Sequence, residues 1–129
     1  MIHPFSFDPS AGSIIVKAVL IGPKRPVVID LVLDTGSTHT LIRPDALLAA
    51  GYDPLKTQDP TAFTTVTGVE TIGFVIIARL EALGFATESL PVVAHDLPHD
   101  AQFDGLLGLD FFRDRNVVLD FRAGHITLT

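Results

Sequence analysis

The chain contains no cysteine and no tryptophan, and only one tyrosine and one methionine. Without cysteine there is no disulfide framework and no thiolate metal site, and the redox compartment stays open. Basic residues are also few: 9 Lys and Arg against 15 Asp and Glu leave a formal net charge of −6. That balance argues against nucleic acid, whose phosphates need a basic surface, and against anionic membranes. The cations are scattered, with Lys24 and Arg25 sharing one turn and Arg113 and Arg115 lying among acids. No apolar run approaches the roughly 20 residues that span a bilayer. The opening Met1-Ile2-His3-Pro4-Phe5 lacks the basic start and apolar core of a secretory signal, so the expected compartment is the cytoplasm.

What is present is a chain of 129 residues, 47% hydrophobic. That is enough for one core and one domain. Residues 1–12, with two prolines, read as an N-terminal arm, and 13–129 as the domain. Ser13 to Ile21 and Val27 to Leu33 read as strands around a Gly22–Pro26 turn. On the second, Val27, Ile29, Leu31 and Leu33 make an apolar face; Asp30, of the other parity, reads as solvated. Thr40 to Ile42 is a short strand. Pro44, Asp45 and Gly51 then mark a helix at 44–50 by first-turn proline, N-terminal acid and terminal glycine. Residues 52–61 read as loop. Phe63 to Thr67 and Thr71 to Leu80 read as a hairpin whose long second strand puts Ile72, Phe74, Ile76, Ala78 and Leu80 on one face; Gly68 supplies its tip. Phe85 to His95 reads as two strands broken near Pro91. A second helix is expected at 109–115 with Asn116 as a left-handed stop. Val117–Phe121 and Ile126–Leu128 close the chain as a hairpin. Many short strands and two brief helices predict an all-β, closed or nearly closed barrel.

One stretch is chemically unusual. Leu31-Val32-Leu33 runs into Asp34, then Thr35-Gly36-Ser37, and an unpaired buried carboxylate is expensive. An Asx-type turn, with Asp34 capping its own loop, is the simple reading. His95 and His99 are four apart, but Pro98 removes the helix that would align them on a metal, so a polar surface loop is the better reading there. His3, His39 and His125 add no ligand spacing, and the chain has no phosphate loop.

Leu33-Asp34-Thr35-Gly36-Ser37 resembles the active-site motif of the aspartic proteases. Phe103-Asp104-Gly105-Leu106-Leu107-Gly108-Leu109-Asp110 resembles the segment that opens the C-terminal helix of retropepsins. Both, in this order, liken residues 14–128 to the single-domain retropepsin-like proteases of cellular organisms. The resemblance implies a six-stranded acid-protease barrel with two short helices and an aspartic endopeptidase acting on peptide or protein substrates. It needs no cofactor and no metal. Asp104-Gly105 is not a second copy of the motif, lacking the hydroxyl and the apolar strand before it. The second acid of a catalytic pair must therefore come from another copy of the chain through a twofold interface.

By the same resemblance Asp34 is the catalytic acid/base, Thr35 bonds across the dimer axis, Gly36 offers its N–H to the carboxylate, and Ser37 donates its hydroxyl to it. Thr67, Gly68 and Val69 form the tip of the flap over the substrate, although the tip has fewer glycines than retroviral flaps and no aromatic residue. Where retroviral enzymes pair acids with an arginine, this chain has Thr38-His39 and Leu109-Asp110. Asp110 is then expected to accept a bond from His39 or Arg113. Ile126–Leu128, an apolar edge, is the candidate interface strand. The alternative reading is a catalytically weak module of this fold that dimerises or binds peptides.

Overall fold

The computed structural model describes the backbone of residues 4–56, 58–65 and 68–129, and the side chains of 4–56 and 73–129. In chain order the elements are β1 (Phe5–Ser6), β2 (Ile15–Ile21), β3 (Pro26–Leu33), β4 (Leu41–Ile42), α1 (Pro44–Ala50) and β5 (Gln58–Thr65). There follow β6 (Gly68–Ala82), β7 (Phe85–Ala94), β8 (Gly105–Leu107), α2 (Leu109–Phe112), β9 (Val117–Asp120) and β10 (His125–Leu128).

The larger sheet runs β2-β3-β8-β4-β7-β6-β5, and β2 also pairs with β6. That extra pairing closes six strands into a ring and leaves β5 outside it, as the second arm of the β5–β6 hairpin. The fold is therefore all-β, a closed six-stranded barrel with two short helices. Its interior is filled by alternating strand faces, and on β3 the face is the one the sequence pattern predicted. Val16, Ala18 and Leu20 of β2 and Ile29 and Leu31 of β3 are buried, while Lys17 between them is exposed. Each large aliphatic side chain so enclosed contributes roughly 1.5–3 kcal/mol. Leu47 of α1 and Phe111 of α2 plug the same core. α1 spans the predicted 44–50. It ends at Gly51, whose φ of 103° is left-handed and whose N–H caps the helix through the Leu48 carbonyl.

Tyr52 holds the closing seam. Its hydroxyl donates to the Ile21 carbonyl at 2.6 Å and accepts from the Ala78 N–H at 2.7 Å, joining β2 to β6. The seam also explains why the predicted face of the long strand holds only in part. Phe74 and Leu80 of that face are buried, but Ile76 and Ala78 are exposed, and Val75, Ile77 and Ala82 of the other parity are buried as well. The buried parity changes at Ala78. There β6 leaves β5 for β2, and the β6–β7 register skips Ala78 and the β7 residue Ser89, whose φ is 50°.

Other differences have local causes. β7 is one strand, not two, because Pro91 lies in register with Ile76 but precedes the stretch where β4 pairs on its other side. The amides on that side donate from Val93 onward, so proline removes no ladder bond. β5 begins at Gln58, inside the predicted loop, and a register shift between Gln58 and Thr61 accommodates Pro60. α2 stops at Phe112, and the left-handed residue is Asp114 (φ 62°), not Asn116. Asn116 instead exchanges backbone bonds with Thr129. β10 is the middle strand of a second sheet, β1-β10-β9, and it buries Ile126 and Leu128. β9 pairs with it from His125 to Leu128, and β1 covers its other side at His125 and Ile126, so that half of it is not an open edge.

Candidate active site

Asp34 stands where β3 leaves the barrel. β8 runs parallel to β3 and antiparallel to β4, so the 34–40 loop spans from one neighbour of β8 to the other. The Asp34 N–H donates to the Leu107 carbonyl at 3.0 Å, which extends the β3–β8 ladder to the acid itself. The Gly36 N–H donates to Asp34 Oδ1 at 2.9 Å, and the Ser37 N–H donates to the Asp34 carbonyl at 3.2 Å. The Asx turn of the simple reading and the amide-to-carboxylate bond implied by the resemblance are thus the same bond. Asp34 is half-buried, while Thr35 and Gly36 are exposed at the crest of the turn.

Ser37 departs from expectation. Its hydroxyl donates to the His39 carbonyl at 2.7 Å and not to the Asp34 carboxylate. A serine that finds an acceptor two residues on in its own turn takes it at little entropic cost.

Asp110 also differs. Its Oδ2 accepts from the Thr40 N–H at 2.8 Å and its Oδ1 from the Thr40 hydroxyl at 2.6 Å. Thr40 Oγ1 in turn accepts from the Gly108 N–H at 3.1 Å. His39 and Arg113 are therefore not the partners that place this carboxylate. Thr40, fully buried, was overlooked in the sequence. The available signal was a hydroxyl on a short apolar strand, opposite an acid at the start of a helix.

Asp104 has a structural task that sequence reading missed. Its carboxylate accepts from the Asp30 N–H at 2.8 Å and lies 2.7 Å from the Arg43 guanidinium. Its backbone bonds Asp30 and Arg43 as well. It pins the start of β8 between β3 and the entry to α1. Asp30, expected to be solvated, is only partly exposed, with Oδ1 2.6 Å from Lys17 Nζ.

The face that carries Asp34 is apolar on the barrel side. Val32 pairs in register with Ile15 on one side and Leu106 on the other, and all three are at least partly exposed. The His39 ring meets Phe74 of β6 edge-to-face at 4.9 Å, tying the loop to the base of the β5–β6 hairpin. That hairpin pairs Thr65 with Gly68. Of the predicted flap tip, Thr67 lies outside the described residues, and Gly68 and Val69 are described in backbone only.

His95 and His99 sit in the segment between β7 and β8. Among the described residues no three His, Asp or Glu side chains gather where they could hold a metal ion. Nor is any helix among them long and apolar enough to cross a membrane.

Comparison with known proteins agrees with this architecture. The chain matches the crystal structure of a retropepsin-like aspartic protease from Rickettsia conorii with a TM-score of 0.71, over 98% of this chain and 89% of that one. At 15% identity the likeness is one of fold. No curated protein matches the chain. A family model described as aspartyl protease matches residues 17–111, a span that includes the Asp34 loop, Thr40 and Asp110. The chain has the retropepsin-like fold and belongs to the aspartyl protease family.

Proposed function

We propose that the protein is an aspartic endopeptidase, active as a homodimer in which Asp34 of each subunit supplies one of two facing carboxylates. Carboxylates about 3 Å apart cannot both ionise, so such a pair shares one proton. The ionised member takes a proton from a water as that water attacks the scissile carbonyl, and the protonated member gives its proton to the carbonyl oxygen. As the tetrahedral gem-diol collapses, the member that took the water's proton passes it to the nitrogen, the C–N bond breaks to release the amine, and the other member recovers its proton from a diol hydroxyl. The observation that carries this reading is the intact Asp34-Thr35-Gly36 turn, with the Gly36 N–H on Asp34 Oδ1 and its crest exposed at the end of a barrel strand. Each chain offers a single such turn, so the second acid must come from a twin.

In this reading Thr35 bonds across the twofold axis, and the hairpin tip at Thr67, Gly68 and Val69 closes over the substrate. An extended peptide adds a strand to the cleft. The apolar Ile15, Val32 and Leu106 on the face of Asp34 favour apolar side chains beside the scissile bond. Activity should be best at acid pH, since only the singly protonated pair is competent.

The test is cleavage of denatured casein and of a peptide library across pH, with oligomeric state measured in the same buffers. Cleavage by the dimer that Asp34→Asn abolishes while the fold is kept supports the proposal. A strict monomer, or binding of peptides without cleavage by the unaltered protein, refutes it; the second result would identify a peptide-binding module.

A further inference from the structure

We propose that Asp110 is a positioning residue for the catalytic loop, acting on Asp34 through Thr40 and Gly108 without touching it. The proposal rests on the proteolytic reading for its effect on rate, though not for its effect on the loop.

The 34–40 loop is fastened at both ends to one short segment, residues 107–110. At its start the Asp34 N–H bonds the Leu107 carbonyl, and in its middle the Ser37 carbonyl accepts from the Leu109 N–H at 2.8 Å. At its end Thr40 is held by Asp110 through two bonds and takes the Gly108 N–H on its own oxygen. Thr40 also fixes the barrel wall, since its carbonyl accepts from the Val93 N–H at 2.9 Å. Asp110 is thus the side chain by which that segment grips the far end of the loop, and the Thr40 hydroxyl answers it from the loop by taking the Gly108 N–H.

The polarity of this chain of bonds is fixed. A hydroxyl has one proton and two lone pairs. Thr40 Oγ1 must accept from the Gly108 N–H, so its single proton goes to Asp110 Oδ1. The Thr40 N–H takes the other carboxylate oxygen. Two donors therefore face residue 110, and only a side chain with two acceptors satisfies both. Asparagine has the same shape and half that capacity: its NH₂ would face either the Thr40 hydroxyl or the Thr40 N–H, leaving one of those two protons without an acceptor at a fully buried residue. The loop has little room to absorb the change, because Gly108 packs directly on the backbone of Ser37 and His39.

The experiment compares Asp110→Asn, Thr40→Val and Thr40→Ser with the unaltered protein. Readouts are kcat and KM per folded dimer, thermal unfolding, and hydrogen exchange of the amides of Thr40, Gly108 and Leu109. Asp110→Asn and Thr40→Val should each lower kcat by about tenfold or more with KM within about threefold, as expected for misplaced reacting groups. Their double variant should be little worse than either alone. Thr40→Ser, which keeps the hydroxyl, should recover most of the rate. Exchange at Thr40, Gly108 and Leu109 should rise in the two damaging variants, while amides of β2 keep their protection. If Asp110→Asn only lowers the melting temperature and leaves kcat per folded dimer unchanged, or if loop exchange does not move, the proposal is wrong. Should the unaltered protein cleave nothing, the proteolytic reading fails, and the exchange arm still decides whether Asp110 positions the loop.

Discussion

Replacing Gly108 with alanine tests how tightly the Asp34 loop is seated. Gly108 has a φ of −96°, which any residue adopts, so glycine is not there for its backbone freedom. It is there for space. A Cβ at this position would lie 2.6 Å from the His39 carbonyl carbon and 2.8 Å from the Ser37 carbonyl oxygen, both main-chain atoms that cannot rotate away. Carbon contacts settle at about 3.5 Å or more, so the loop must retreat by roughly 1 Å. The Ser37–Leu109 and Thr40–Gly108 bonds lie along that path, and both lengthen. Overpacking of this kind costs about 1–3 kcal/mol of stability. A displacement of about 1 Å in a reacting group costs on the order of 10²-fold in rate. Gly108→Ala should therefore fold, melt several degrees lower, and cleave peptides about a hundredfold more slowly in kcat. Peptide cleavage at a temperature well below the melting point separates the two effects. Activity within about twofold of the unaltered protein would show that the close approach does not place Asp34.

Two further predictions concern the frame and not the chemistry. Tyr52→Phe removes the hydroxyl that joins Ile21 to Ala78 across the barrel seam. With two bonds lost and Ala78 open to solvent, the cost should be about 1–2 kcal/mol in denaturant unfolding, and no change in stability would mean the seam closes without it. Asp8 in the N-terminal segment titrates below the ordinary carboxylate range, first because the Ser10 hydroxyl donates to it and then because the Ser10 N–H does. A folded value below the unfolded one stabilises above the unfolded value and is lost as pH falls through the folded one. Ser10→Ala should move the Asp8 titration upward by NMR, and an unmoved curve would exclude the hydroxyl as the cause.

Much of the barrel was legible from local pattern. The alternation in β3 named its inward residues, Ile29 and Leu31, and Pro44 with Gly51 bounded α1. Asp34-Thr35-Gly36 announced the loop, because an acid and a glycine after an apolar strand need a special environment wherever they fold. Pattern failed where a distant strand decided the outcome. The face of β6 turned over at Ala78 because its neighbour changes from β5 to β2. Pro91 stayed inside β7 because its missing N–H points where no strand yet lies. β10 looked like a free edge in a list of residues, yet β1 covers its start at His125 and Ile126.

The bonds around Asp34 divide in the same way. The sequence by itself determined the elements of short reach: the parity of β3, the helix at 44–50, and the Gly36 amide on Asp34, two residues away. Only the tertiary structure decided that Ser37 turns to His39, that Asp104 latches β3 to α1, and that Asp110 holds Thr40 from 70 positions along the chain. The reason is geometric. A hydrogen-bond donor takes whichever acceptor the fold brings within about 3 Å, and sequence spacing limits that choice only for near neighbours.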